Sequence, residues 1–159
     1  MKARSLLSIT DEKTPLPIGC GFLTFKPAGF IEHVIPVLSK YRVSGIWLGF
    51  PKSGADHKPI IAAIRTSREQ SGWEVKVWVQ VGDLTSAKEA IEQGADIIVV
   101  QGIDAGGHQW AQGAGIVALV PEVRNMVDQM GKGHEVAVLA AGGIVDGRGV
   151  VAGLSLGEF

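Results

Sequence analysis

Two rhythms of apolar residues alternate along the chain. Residues 16–25 form an apolar, glycine-punctuated run that predicts a strand. Ile31, Val34, Ile35 and Leu38 then fall at helical spacing and predict a helix with one apolar face. Residues 45–50 predict a second strand. Pro59 suits the first turn of a helix whose buried side is Ile60, Ile61 and Ile64. Residues 75–81, rich in Val and Trp, predict a third strand. Ser86 and Glu89 have capping-box spacing around Ala87, Ala90 and Ile91, with Gly94 as the C-terminal stop. Ile97, Ile98, Val99 and Val100 form an unbroken β-branched run, the pattern of a strand buried on both faces. After a glycine-rich loop, Ile116, Val120, Val123, Val127 and Met130 form one helical stripe. Pro121 lies inside that stripe, so the helix either runs through it or starts there, with Pro in its first turn. Residues 136–140 predict a fifth strand, and Asp146 can cap a last helix carrying Val150, Val151 and Leu154.

Five strands, each followed by a helix, imply a parallel α/β sheet with right-handed crossovers. An open doubly wound sheet and a closed barrel both satisfy this pattern. The informative glycines all follow strands: Gly82, those between 102 and 107, and the Gly142-Gly143 pair. Either fold places chemistry at those strand ends. A dinucleotide-binding sheet wants G-x-G-x-x-G after its first strand, whereas Gly19 and Gly21 lack the third glycine and lie within the strand. The absence of that motif favours the barrel.

Charge and cysteine content narrow the functional classes. Fifteen basic residues face sixteen acidic ones, which gives no field for nucleic acid or an anionic membrane. The single cysteine, Cys20, excludes an intrachain disulfide and favours a reducing compartment. No apolar run approaches the ~20 residues of a membrane span, and residues 1–13 have no signal-peptide pattern. A cytoplasmic soluble domain is the expectation.

Two segments can carry chemistry. In the first, Gln101-Gly102-Ile103-Asp104-Ala105-Gly106-Gly107-His108, a fully buried strand ends in paired glycines and a histidine. Gly106 and Gly107 let backbone approach a flat or phosphorylated ligand, because no Cβ intervenes. His108 delivers an imidazole suited to general-base work, and Gln101 offers both a donor and an acceptor. The competing reading of His108 is a loop histidine with no role. In the second, Ala140-Ala141-Gly142-Gly143-Ile144 precedes Asp146-Gly147-Arg148-Gly149. A glycine turn leading into a helix start is an anion site when its N–H groups are free. It is equally a tight turn that needs positive φ. Asp146 reads as a cap, and Arg148 as either a phosphate contact or a solvated residue. His33 in the first helix, His57 in a loop and His134 before a strand read as structural or solvated. No Cys/His/carboxylate spacing matches a metal site, and no G-x-S-x-G elbow is present. Of the four tryptophans, Trp110 is the one placed near a substrate.

These segments, with Val79-Gln80-Val81-Gly82 and the 94–102 run before them, resemble the nitronate monooxygenase (2-nitropropane dioxygenase) family. Residues 16–24 and 108–115 resemble its fungal branch, and the likeness extends over nearly the whole chain. The A-G-G-H and A-A-G-G-I pair is shared with related FMN-dependent enoyl-acyl-carrier-protein reductases. The resemblance implies a (β/α)8 TIM barrel holding FMN, with Gln101, Gly106 and Gly107 along the flavin, Gly142 and Gly143 at its phosphate, and His108 as catalytic base. It implies oxidation of alkyl nitronates or nitroalkanes with O2 to a carbonyl compound and nitrite. An NAD(P)H-dependent reductase on the same scaffold and an inactive barrel fragment are the alternatives.

A complete barrel of this kind needs about 250 residues or more, and the pattern supplies five units. The resemblance makes these strands three to seven of an incomplete barrel, one partial domain over residues 1–159. The first two strands and the eighth, with its phosphate loop, are then absent. The chain is on this view a gene-model fragment, a shortened chain or a degenerate copy, and open strand edges would allow a homo-oligomer.

Overall fold

The structure is a computed structural model that describes residues 2–24, 29–51, 53 and 56–157. Among the described residues, strands alternate with helices in the predicted order, and the chain divides into two compact units, Met1–Val77 and Trp78–Phe159, with the boundary inside the third strand. No helix of the described residues is long and apolar enough to cross a membrane.

In the first unit, β1 (Leu16–Leu23) and β2 (Val43–Gly49) pair in parallel. The predicted first strand runs to residue 25, and its last position lies outside the described residues. The helix expected around residues 31–38 begins as a π-helical turn, Phe30–Val34, and continues as α2 (Ile35–Tyr41). The N–H of Ile35 reaches back five residues to the Phe30 carbonyl. Pro36, next in the chain, has no N–H to continue a regular ladder, so the wide turn sits where an α-helical bond is already lost. The following helix, α3 (His57–Ser71), fully buries Ile60, Ile61 and Ile64, as its apolar spacing requires. Trp73 fills the space beyond it, and its Nε1 donates to the Val43 carbonyl at 2.8 Å.

Two features of this unit escaped the sequence pattern. A short helix, α1 (Lys2–Leu6), buries no side chain. Its Arg4 donates to the carbonyls of Asp11, Thr14 and Tyr41 at 2.9, 2.8 and 3.3 Å, and so ties the N-terminal segment to the end of α2. His57, expected in a loop, is instead the first residue of α3 and only 3% exposed. Its Nε2 lies 2.6 Å from Thr24 Oγ1, which itself donates to the Gly49 carbonyl at 3.0 Å. The hydroxyl proton is spent on Gly49, so the imidazole is the donor in the shorter bond.

The second unit holds β3 (Lys76–Val81) from Trp78 onward, β4 (Ile97–Gln101) and β5 (Ala137–Ala141), paired in parallel in that order, with α4 (Leu84–Glu92), α5 (Ile116–Gln129) and α6 (Gly147–Ser155) between and after them. Ile98, Val99 and Val100 are fully buried, as the unbroken run predicted. α5 runs through Pro121 instead of starting there, because Ile116, Leu119 and Val120 already bury the turn before the proline. The start of α4 corrects the capping-box reading. Asp83 is the N-cap, accepting from Ser86 N at 2.8 Å, while Ser86 Oγ donates back to the Asp83 carbonyl. The carboxylate therefore takes the cap and moves the helix start to Leu84.

Asp83→Ala should destabilise the unit by about 1 kcal/mol, the usual worth of an N-cap, and Ser86→Ala by less, as read by urea denaturation; the reverse ranking would restore Ser86 as the cap. His57 gives a pH prediction. Burial pushes its pKa from 6.5 down to about 4, against a smaller opposite pull from Asp56. The unfolded chain then binds a proton that the folded chain refuses, so stability is full above about pH 6.5 and is lost as pH falls towards about 4. The loss should approach but not exceed about 1.4 kcal/mol per pH unit. His57→Gln should flatten denaturation midpoints across that window.

Candidate active site

The two chemical segments meet because β4 and β5 are parallel neighbours. Their register pairs Gln101 with Ala141, so both following loops leave the sheet at the same end. Gly102 N donates to the Ala141 carbonyl at 3.0 Å, carrying the pairing one residue past β4. Beyond it the loops touch. A Cβ added to Gly142 would lie 2.8 Å from the Ala105 Cβ, and one on Gly143 would lie 3.3 Å from the Asp104 side chain. Both glycines have positive φ, +106° and +70°, so the turn needs them for backbone shape as well as for space.

Within the first loop, Gly106 and Gly107 face open space, with no atom within 4 Å of an added Cβ, and Gly107 has φ +77°. His108 follows them and is exposed. Gln101, by contrast, is buried, and its amide is held at both ends. Gln80 Nε2 donates to its Oε1 at 2.6 Å, and its own Nε2 donates to the His108 carbonyl at 3.0 Å. Gln109 Nε2 donates to the Ala105 carbonyl at 2.5 Å, closing the loop on itself. Trp110 packs on Gly82 at the end of β3, where an added Cβ would fall 2.2 Å from the indole. The loop thus reaches the neighbouring strand end as well.

The second loop presents backbone donors. Among the described residues, the N–H groups of Gly142, Gly143 and Ile144 have no protein acceptor. Asp146 caps α6, accepting from the N–H groups of Arg148 and Gly149. The Arg148 guanidinium binds the same carboxylate at 2.6 Å and, with those N–H groups, holds its pKa below the ordinary value. Arg148 is therefore engaged with its own cap and extends into solvent, 93% exposed. The helix dipole is already met by Asp146, so the open donors of this loop are those of the glycine turn.

Asp104 lay within the first chemical segment of the sequence, without a role of its own. The N-cap of α5, Gly115, brings no side chain to the helix start, and Asp104 Oδ2 accepts from Ile116 N at 3.4 Å from twelve residues upstream. A Cβ on Gly102 would collide with that carboxylate, so Gly102 is small to admit Asp104. Local capping motifs span three residues and cannot reveal a partner at this distance. Gln80 lay within a recognised motif, but only strand pairing shows what it touches.

Comparison with known proteins gives this geometry a family. The nitronate monooxygenase family model matches residues 59–158. A nitronate monooxygenase of Neurospora crassa is 44% identical over 98% of this chain and 43% of its own length. Nitronate monooxygenase npaC of Metarhizium robertsii is 40% identical over 89% of this chain and 38% of that protein. The chain spans less than half the length of these fungal relatives. Among solved structures, FabK from Thermotoga maritima superposes with a TM-score of 0.66 at 26% identity, over 98% of this chain and 43% of that one. A nitroalkane oxidase from Streptomyces ansochromogenes gives 0.65 at 22% identity, over 90% of this chain and 48% of that one, a likeness of fold alone. The fold class is that of a partial α/β barrel, as the strand–helix pattern and its glycines indicated. Because the matched region contains both glycine loops and the fungal likeness runs almost end to end, the chain belongs to the nitronate monooxygenase family.

Proposed function

We propose that the protein carrying this chain is an FMN-dependent enzyme that oxidises alkyl nitronates, or the nitroalkanes that give rise to them, with O2, yielding a carbonyl compound and nitrite. The observation that supports this reading best is the convergence of two glycine loops at one end of the β4–β5 pair, with His108 in one and open backbone donors in the other.

The residues suit a flavin mononucleotide. The N–H groups of Gly142, Gly143 and Ile144 form the kind of backbone concavity that receives a phosphate. The open space beside Gly106 and Gly107 admits a flat ring against backbone. Among the described residues, Gln101 makes the two side-chain bonds already given, which leaves one N–H and one lone pair for a ligand. When bound, FMN supplies the electron transfer and O2 reactivity that side chains lack. In this assignment Gln101, Gly106 and Gly107 lie along the flavin, and Gly142 and Gly143 hold its phosphate. His108 takes the α-proton of a neutral nitroalkane at its imidazole nitrogen, or holds an already anionic nitronate in place. A base near neutrality suffices, because the nitro group delocalises the carbanion. The small-molecule partners are nitronate and O2.

The test uses the whole flavin-loaded protein without oxygen. Bleaching of the flavin by a nitronate, without NADH, supports the proposal; bleaching by NADH alone would replace it with an NAD(P)H-dependent reductase. His108→Asn should lower turnover of neutral nitroalkane by about 10²–10⁴-fold and turnover of preformed nitronate far less, because only the former must lose a proton. Equal losses would make His108 a positioning group. Gly142→Ala should weaken FMN binding at least about tenfold, read by flavin fluorescence, because the new Cβ forces the turn away from Ala105. Unchanged affinity would separate the two loops functionally.

A further inference from the structure

Gln80 belongs to β3, and Gln101 ends β4. The register sets Gln80 opposite Val99, so Gln101, two residues further along, lies on the same face of the pair. Their side chains form a directed chain from Gln80 Nε2 to Gln101 Oε1 and from Gln101 Nε2 to the His108 carbonyl, at 2.6 and 3.0 Å. The direction is fixed at its far end. A main-chain carbonyl only accepts, so Gln101 must turn its nitrogen to His108 and its oxygen to Gln80, and Gln80 must then present a donor. A carboxylate of the same shape at position 80 would invert that order.

We propose that Gln80 is a positioning residue for the nitronate-oxidising site: its N–H sets the orientation of the buried Gln101 amide, and through it fixes the backbone at His108. The inference rests on the proposed role of Gln101 and His108, but the hydrogen-bond chain can be tested without flavin. Gln80 touches neither reacting atom in this scheme. It acts on the residue behind the ring and on the loop that carries the base. Losing it should therefore loosen residues 105–109 and weaken FMN binding.

Two variants of nearly wild-type shape separate this role from space filling. Gln80→Met lacks the donor, and Gln80→Glu replaces it with an acceptor that draws the Gln101 nitrogen to itself and turns the oxygen onto the His108 carbonyl. Backbone hydrogen exchange of residues 105–109 in the whole protein should rise about threefold in Gln80→Met and about tenfold or more in Gln80→Glu. In a Gln101→Leu background, Gln80→Glu should add little, because the group it misdirects is gone. FMN dissociation constants should follow the same ranking. Exchange in both single variants equal to wild type, or an undiminished effect of Gln80→Glu in the Gln101→Leu background, would overturn the proposal. If Gln80→Glu does not fold, Gln80→Met alone decides it. If wild-type protein binds no FMN, the flavin reading falls while the exchange ranking still decides the positioning role.

Discussion

The site depends on the parallel pairing of β4 with β5. Parallel strands send both of their following loops out at one end, and the Gln101–Ala141 register sets those loops side by side. The Gly102–Ala141 hydrogen bond extends this pairing into the loops, and the contact of Gly142 with Ala105 closes it. A shift of β4 by one residue against its neighbours would carry Gln101 to the opposite face of the sheet, away from Gln80. The fully buried Ile98, Val99 and Val100 make such a slip costly, so the hydrophobic core also holds the site geometry.

On that frame the loops are shaped mainly by carboxylates and amides. Asp83 begins α4, Asp146 begins α6, and Asp104 serves α5 from a distance. The amides of Gln101 and Gln109 fasten the first loop to itself. Glycines appear where these groups need room, at Gly102 for Asp104 and at Gly82 for Trp110. Loop shape and the open donors of the second loop are thus settled separately, because Asp146 satisfies the start of α6 and leaves the glycine turn unclaimed.

Much of this was legible in the order of residues. The run from Ile97 to Val100, the Ile60, Ile61 and Ile64 face and the glycines after strands are local signals, and each led to the observed element. The misses have physical causes. Asp83 displaced Ser86 as the cap because its carboxylate accepts the N–H of Ser86 itself, which puts Ser86 inside the first turn. His57 was placed in a loop, as structural or solvated, and its partner Thr24, 33 residues away, could not be read from local pattern. α6 carries the expected apolar residues, yet Val150, Val151 and Leu154 stay exposed. A helical pattern states which residues share a face, whereas burial depends on what packs against it.

The sequence by itself determined the alternation of strand and helix, the placing of paired glycines at strand ends, and the identity of His108, Gln101 and the Gly142-Gly143 turn as the chemical candidates. Those are properties of residues near one another in the chain, where period and backbone freedom act. Only the tertiary structure decided that Gln80 donates to Gln101, that Gln101 donates to the His108 carbonyl, that Asp104 faces α5 and that Arg148 turns back to Asp146. A hydrogen bond is set by the distance and direction between two groups, and for Gln80, Gln101 and Asp104 the pairing of strands and the packing of helices bring those groups together. Arg148 and Asp146 are close in sequence, but whether the arginine turns back to its own cap or out to a phosphate or solvent depends on the folded backbone around it.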